Sequence, residues 1–142
     1  MTIPESVTNI KTCGFQLCTG LTSITIPSSV TSIGSYAFTN CTSLTSLTFR
    51  SLQTNIRSCA FSGCSELTDV YCLVETGPVA NAEQGPLETD IFKDSYIEYA
   101  TLHVPATAIV SYQSTSPWNE FGKIVTLEGN EPETLQCEKP VI

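Results

Sequence analysis

Over the first seventy residues, apolar and polar positions alternate in short bursts that return at a fixed interval. In Leu21-Thr22-Ser23-Ile24-Thr25-Ile26-Pro27, Ile24 and Ile26 share one side and Ser23 and Thr25 the other, the period-2 signature of a half-buried strand. Stepping by 23 residues superimposes Ile3, Ile26 and Phe49; Ile10, Ile33 and Ile56; Phe15, Phe38 and Phe61; Cys18, Cys41 and Cys64; Leu21, Leu44 and Leu67; and Ile24, Leu47 and Val70. A unit of that length cannot bury its apolar face until a neighbour stacks on it, so the pattern predicts a solenoid of parallel rungs.

Within each repeat the strand ends at a proline, Pro4 or Pro27, which has no N–H for the ladder. The arc from Ser28 to Gly34 turns the corner with Val30 and Ile33 inward, Ala37-Phe38 fills the space opposite the strand, and Asn40-Cys41 turns back. This arc is too short and too rich in Ser and Thr for a long helix; a short helical turn and further extended chain both fit it. The third repeat, Thr48 to Val70, keeps the pattern with Arg50 at the proline position and Gln53 at the Val7 and Val30 position, predicting local loosening.

The interval breaks after Val70. Phe92 follows Phe61 by 31 residues, and the excess falls in Glu75 to Asp90, rich in Gly, Pro and acids and read as an exposed loop. Thr101-Leu102-His103-Val104-Pro105 restores the strand signal. Ala108-Ile109-x-x-Tyr112 reads as a short helix with Thr107 as its N-cap, Trp118 and Phe121 as apolar mass, and Ile124-Val125-x-Leu127 as a last strand. The predicted organisation is a solenoid over 1–105 (clear repeats 2–70, a divergent repeat 71–105), a C-terminal cap over 106–129, and a linker or the start of a further domain over 130–142.

Charge changes the picture modestly. Only 14% of the 142 residues are charged, so Ser and Thr carry the soluble surface. Of the net charge of −8, almost nothing arises before Val70, where Glu5, Glu66 and Asp69 balance Lys11, Arg50 and Arg57. An acidic chain without a basic stripe argues against nucleic acid and anionic membrane as partners. No run approaches the roughly 18 apolar residues of a membrane span, and no charged start precedes an apolar core. Thr2-Ile3-Pro4 matches Thr25-Ile26-Pro27 in mid-repeat, so the chain is read as part of a longer protein.

Seven cysteines raise the question of disulfides. Three equivalent residues, Cys18, Cys41 and Cys64, cannot all pair, and their Cβ atoms point the same way, so free buried thiols are expected. Cys13 and Cys59 share a position two rungs apart, too far to bridge. No Cys-x-x-Cys or His pair gives metal-ligand spacing, and neither metal nor cofactor is expected.

The pattern Cys-x-x-Leu-x-x-Ile-x-Ile-Pro-x-x-Val-x-x-Ile-Gly-x-x-Ala-Phe, carried by Cys18 through Phe38, resembles the BspA-like subclass of bacterial leucine-rich repeats. The segment from Thr101 to Leu127 is similar to the one that closes such arrays in surface proteins of gut and oral anaerobes, and Cys137 to Ile142 to the first strand of a domain that follows them. The resemblance implies a leucine-rich-repeat solenoid, α/β or mainly β, in a secreted or surface-anchored bacterial protein associated with adhesion and host-protein binding.

Aligned strands give two outward columns: Ser23, Ser46, Asp69 and Thr101, and beside it Thr25, Thr48, Tyr71 and His103. These eight are the candidate ligand-binding residues, with Asp69, Tyr71 and His103 as a polar-aromatic patch for a protein, a host extracellular protein among them, or a glycan. Catalysis finds little support. His103 is the only histidine, Cys72 aligns with inward Val104, and the acids cluster in loop and linker instead of facing each other across a cleft. The competing readings are a spacer that presents a neighbouring domain and, more remotely, an accessory substrate-binding module of a secreted hydrolase. The first rung, with Ile3, Val7 and Ile10, is an open end expected to favour end-to-end self-association.

Overall fold

A computed structural model describes residues 2–50, 55–73, 90–114 and 118–127. Gln53, most of the loop from Glu75 and the linker from Asn130, with Cys137, lie outside them. The elements in chain order are β1 (Asn9–Ile10), β2 (Ser23–Ile26), β3 (Ser32–Ile33), β4 (Ser46–Phe49), β5 (Asn55–Ile56), β6 (Asp69–Cys72), β7 (Thr101–Val104), α1 (Ile109–Ser114) and β8 (Lys123–Thr126).

The predicted parallel rungs are present. β2, β4, β6, β7 and β8 form one parallel sheet in that order, with Thr2 bridged to Thr25 at its N-terminal edge. Register follows the interval: Ile24 pairs with Leu47, Leu47 with Val70, and after the longer step Val70 with Leu102. The whole excess length between the third and fourth rungs is thus absorbed without shifting a strand, as loop-closure entropy, which grows slowly with length, allows.

The arcs, left open between helical and extended, are neither one helix nor one strand. Each has a two-residue strand, and β1, β3 and β5 make a second parallel sheet. Tight turns follow, whose N–H groups reach the next rung: Tyr36, Phe38 and Asn40 donate to the carbonyls of Ser58, Ala60 and Ser62. The turns repeat left-handed residues in columns, Cys13, Tyr36 and Cys59 in one and Leu17, Asn40, Gly63 and Asp94 in another. Left-handed backbone favours glycine, so most of these positions carry strain that the inter-rung hydrogen bonds hold in place.

The core runs as a stack of aromatic rings. Phe15, Phe38 and Phe61 lie nearly parallel with centroids 5.0 Å apart at each step, and Phe92 continues the stack at 5.8 Å from Phe61. Beside it runs a ladder of polar atoms. The Cys41 thiol donates to the Phe15 carbonyl at 3.2 Å and the Cys64 thiol to the Phe38 carbonyl at 3.3 Å. Buried Ser95, 31 residues after Cys64, donates its hydroxyl to the Phe61 carbonyl and accepts the Cys64 N–H at 2.9 Å. The cysteine column therefore serves as a set of hydrogen-bond donors as well as apolar filler, since a carbonyl buried without a donor is costly.

The C-terminal region packs its largest side chains against this core. Trp118 and Tyr112 are fully buried, and Trp118 meets Phe49 and Phe92 edge-on at 5.9 and 5.7 Å. Thr107 does not cap the helix. It lies inside a 3-10 turn, Ala106–Ala108, whose cap position is held by Pro105 at φ −62°, an angle proline presets. The expected last strand forms as β8, which pairs with β7 over four residues and is the fifth strand of the main sheet. Gly122 permits this approach: its N–H donates to the Ile97 carbonyl at 2.9 Å, and a Cβ there would strike the Glu98 carbonyl.

At the N-terminal rung Ile3 and Ile10 are already buried against the second rung. The apolar surface left at that end belongs to Val7, Phe15, Cys18 and Leu21, which are partly buried, and to Leu17, which is 60% exposed.

Candidate functional site

Parallel register sends paired residues to the same face, so the outward columns can be followed strand by strand. Ser23, Ser46, Asp69 and Thr101 do form one column, and β8 adds Lys123 to it. Thr25, Thr48, Tyr71 and His103 form the next, extended by Val125. In these two columns β2 and β4 present only hydroxyls, while β6, β7 and β8 carry charged and aromatic groups.

There, Tyr71 and His103 stack with ring centroids 4.3 Å apart and planes 14° from parallel. His103 Nε2 lies 2.8 Å from Asp69 Oδ1, and Thr68 donates its hydroxyl to Asp69 Oδ2 at 3.0 Å. These contacts cross the longer step in the chain, so the inserted loop leaves the patch assembled. Both members of this hydrogen-bonded pair are partly open to solvent.

Beyond the strands, alternation carries one residue further. Leu73 and Leu127 keep the ladder by donating their N–H groups to the Phe49 and Val104 carbonyls, and their side chains are 41% and 36% exposed. Arg50, at the same rung position two strands before Pro105, is exposed too. Tyr71, Leu73, Val125 and Leu127 thus form an apolar field with Asp69, Arg50 and Lys123 around it. Sequence reading missed Leu73, Val125, Leu127 and Lys123 as face residues; the one available signal was Ile124 at the core position of the strand pattern.

The alternative Cys72–His103 pairing is not assembled. Cys72 faces the core, fully buried, and burial pushes its thiol far above the ordinary range, with the Tyr112 hydroxyl as polar neighbour. The Tyr112 hydroxyl is raised as well, by burial first and by Cys72 second, and makes no well-formed hydrogen bond. Burial also raises Cys41, and takes Cys64 up to about 12. Cys13, Cys18, Cys41, Cys59, Cys64 and Cys72 are all free thiols, of which only Cys13 is exposed and Cys18 half-buried.

Raised values in the folded chain mean that it keeps protons which the unfolded chain gives up. Stability is therefore expected to hold up to about pH 9, the ordinary thiol value, and to fall from there toward about 12. Denaturant midpoints measured at stepped alkaline pH check this, and a flat profile above pH 9 would contradict it.

A cleft of about 380 Å³ lies at the arc of the fourth rung, lined by the acids Asp90, Asp94, Glu98 and Glu120 and by Lys93 and Tyr96 among others. Among the described residues no three His, Cys, Asp or Glu side chains are placed to hold a metal ion, and no helix is long and apolar enough to cross a membrane.

Comparison with known proteins places this geometry. The family model for the BspA type leucine rich repeat region matches residues 1–111 in six copies. A crystal structure of a leucine rich cell surface protein from Faecalibacterium prausnitzii A2-165 is similar over 89% of this chain and 31% of that chain, with a TM-score of 0.54 and 24% identity. At that identity the likeness speaks for the fold, and this chain spans under a third of its neighbour. No curated protein matches. With the repeat pattern, the stacked parallel rungs and the family match in agreement, the chain belongs to the BspA-type leucine-rich repeat family.

Proposed function

We propose that this chain is a non-enzymatic adhesion module of a secreted or surface-anchored protein, which binds other proteins through the C-terminal half of its sheet face. The observation that carries the reading is the Tyr71–His103 stack locked by Asp69 and bordered by exposed Leu73 and Leu127. Aromatic and apolar side chains held rigid at the centre of a polar rim are the usual anatomy of a binding hot spot, because little side-chain entropy remains to be lost on contact. The cell-surface neighbour and the family support a surface location.

The test is binding of the immobilised repeat unit to a panel of purified extracellular host proteins, wild type against the Tyr71→Ala/His103→Ala double variant. Affinity is expected to fall at least about tenfold, as truncating a hot-spot pair does. Unchanged affinity in a variant of unaltered thermal stability would retire the patch.

The hydroxyl-only columns of β2 and β4, with Ser23, Thr25, Ser46 and Thr48, favour a second reading as a spacer for a neighbouring domain. Ligand binding that survives deletion of the repeats from a protein retaining its flanking domains would support the spacer.

A further inference from the structure

We infer that the C-terminal half of the sheet face docks an extended acidic polypeptide segment carrying an apolar side chain between two carboxylates; this rests on the reading of that face as a protein-binding surface. Charge on the face runs against charge on the chain. The chain as a whole is −8, yet among the described residues of the face Arg50 and Lys123 stand against Asp69 as the one acid. Asp69 Oδ1 is engaged by His103, and Oδ2 lies 3.0 Å from the Thr68 hydroxyl, which is shared with the Thr45 carbonyl at 3.1 Å. The other acids of this region, Asp90, Asp94, Glu98 and Glu120, line the cleft at the fourth arc. A partner that reaches the sheet face therefore meets two cations at its border, and opposite charge steers and registers such contacts.

The spacing of the cations sets the length of the segment. Arg50 follows β4 and Lys123 opens β8, three strands away in the sheet and four residue positions back along the strand direction. At about 4.8 Å per strand and 3.3 Å per residue they stand roughly 20 Å apart, the span of about six extended residues. Tyr71 and His103 lie between them, which places the apolar side chain near the middle of the segment.

Ring geometry separates this partner from a sugar. Because Tyr71 and His103 stack on one another, each has one face covered by the other ring. The stacking axis follows the row of strands, so the outer faces turn toward the Thr48 and Val125 positions. A pyranose, which binds by laying its C–H face on an aromatic face, is left only the outer ring faces, turned along the sheet toward Thr48 and Val125.

The test uses three probes: a peptide with two glutamates six residues apart flanking a leucine in a Gly/Ser background, its lysine counterpart, and a panel of methyl glycosides. Titration followed by nuclear magnetic resonance should shift the Tyr71 and His103 ring signals with the glutamate peptide alone. Its affinity should drop about tenfold in an Arg50→Glu/Lys123→Glu variant and weaken with added salt. No binding of the glutamate peptide to the wild type, unchanged affinity after charge reversal, or ring shifts with the lysine peptide or the glycosides would overturn the inference. Should the Tyr71→Ala/His103→Ala variant lose protein binding while charge reversal changes nothing, the acidic preference fails and the binding face stands.

Discussion

Replacing Phe38 by alanine should lower the free energy of unfolding by about 3–5 kcal/mol, the range for deleting a buried phenylalanine ring. Phe38 has no solvent exposure and stacks on Phe15 and Phe61 at 5.0 Å on either side, so its removal leaves a gap that two rings border. Relaxation is limited because the backbone on each side is tied into the next rung through the N–H groups of Phe15 and Phe38. Phe15→Ala should cost less, since Phe15 is only partly buried at the end of the stack. Denaturant unfolding of both variants checks the order, and equal losses would mean that the stack is not a continuous core.

The second large effect is expected at Ser95. Its hydroxyl satisfies two buried backbone groups, the Phe61 carbonyl and the Cys64 N–H. Ser95→Ala leaves both unpaired and should cost about 2–6 kcal/mol, each orphaned group contributing roughly 1–3. Ser95→Cys restores the residue type found at Cys18, Cys41 and Cys64 and should recover most of that loss, as thiols already perform the same donation at Cys41 and Cys64. Loss of equal size in both variants would show that the column is held by packing volume and not by its donors.

These two positions also mark where the sequence is legible. The phenylalanine column can be read directly, because one side chain of one size recurs at one interval and its continuation in Phe92 survives the longer step. The polar ladder was hidden by a change of residue type, although Ser95 stands at the same 31-residue distance from Cys64 as Phe92 from Phe61. The outward columns were legible through β7 because strand alternation fixes them. They stopped short of Lys123 and Val125 because the run before β8 lacks the Ile-x-Ile-Pro ending, with Thr126 at the second core position.

The arcs resisted for a different reason. An interval of 23 residues reports which side chains stack and is silent on the backbone angles between them, and left-handed turns at Cys13, Leu17 and Tyr36 use residues that do not advertise them. The chemistry of the face was in turn only half visible. Asp69, Tyr71 and His103 could be brought together from register, whereas the ring stacking and the Asp69–His103 contact depend on side-chain directions that only coordinates supply.

A nuclear Overhauser measurement between the ring protons of Tyr71 and His103 tests the account most directly, because these residues are 32 positions apart and meet only if the rung after the inserted loop returns to register. Strong cross-peaks are predicted from the 4.3 Å separation of the rings, together with a connected series along Phe15, Phe38, Phe61 and Phe92. Absence of the Tyr71–His103 cross-peaks in the folded chain would contradict both the shared face and the binding role assigned to it.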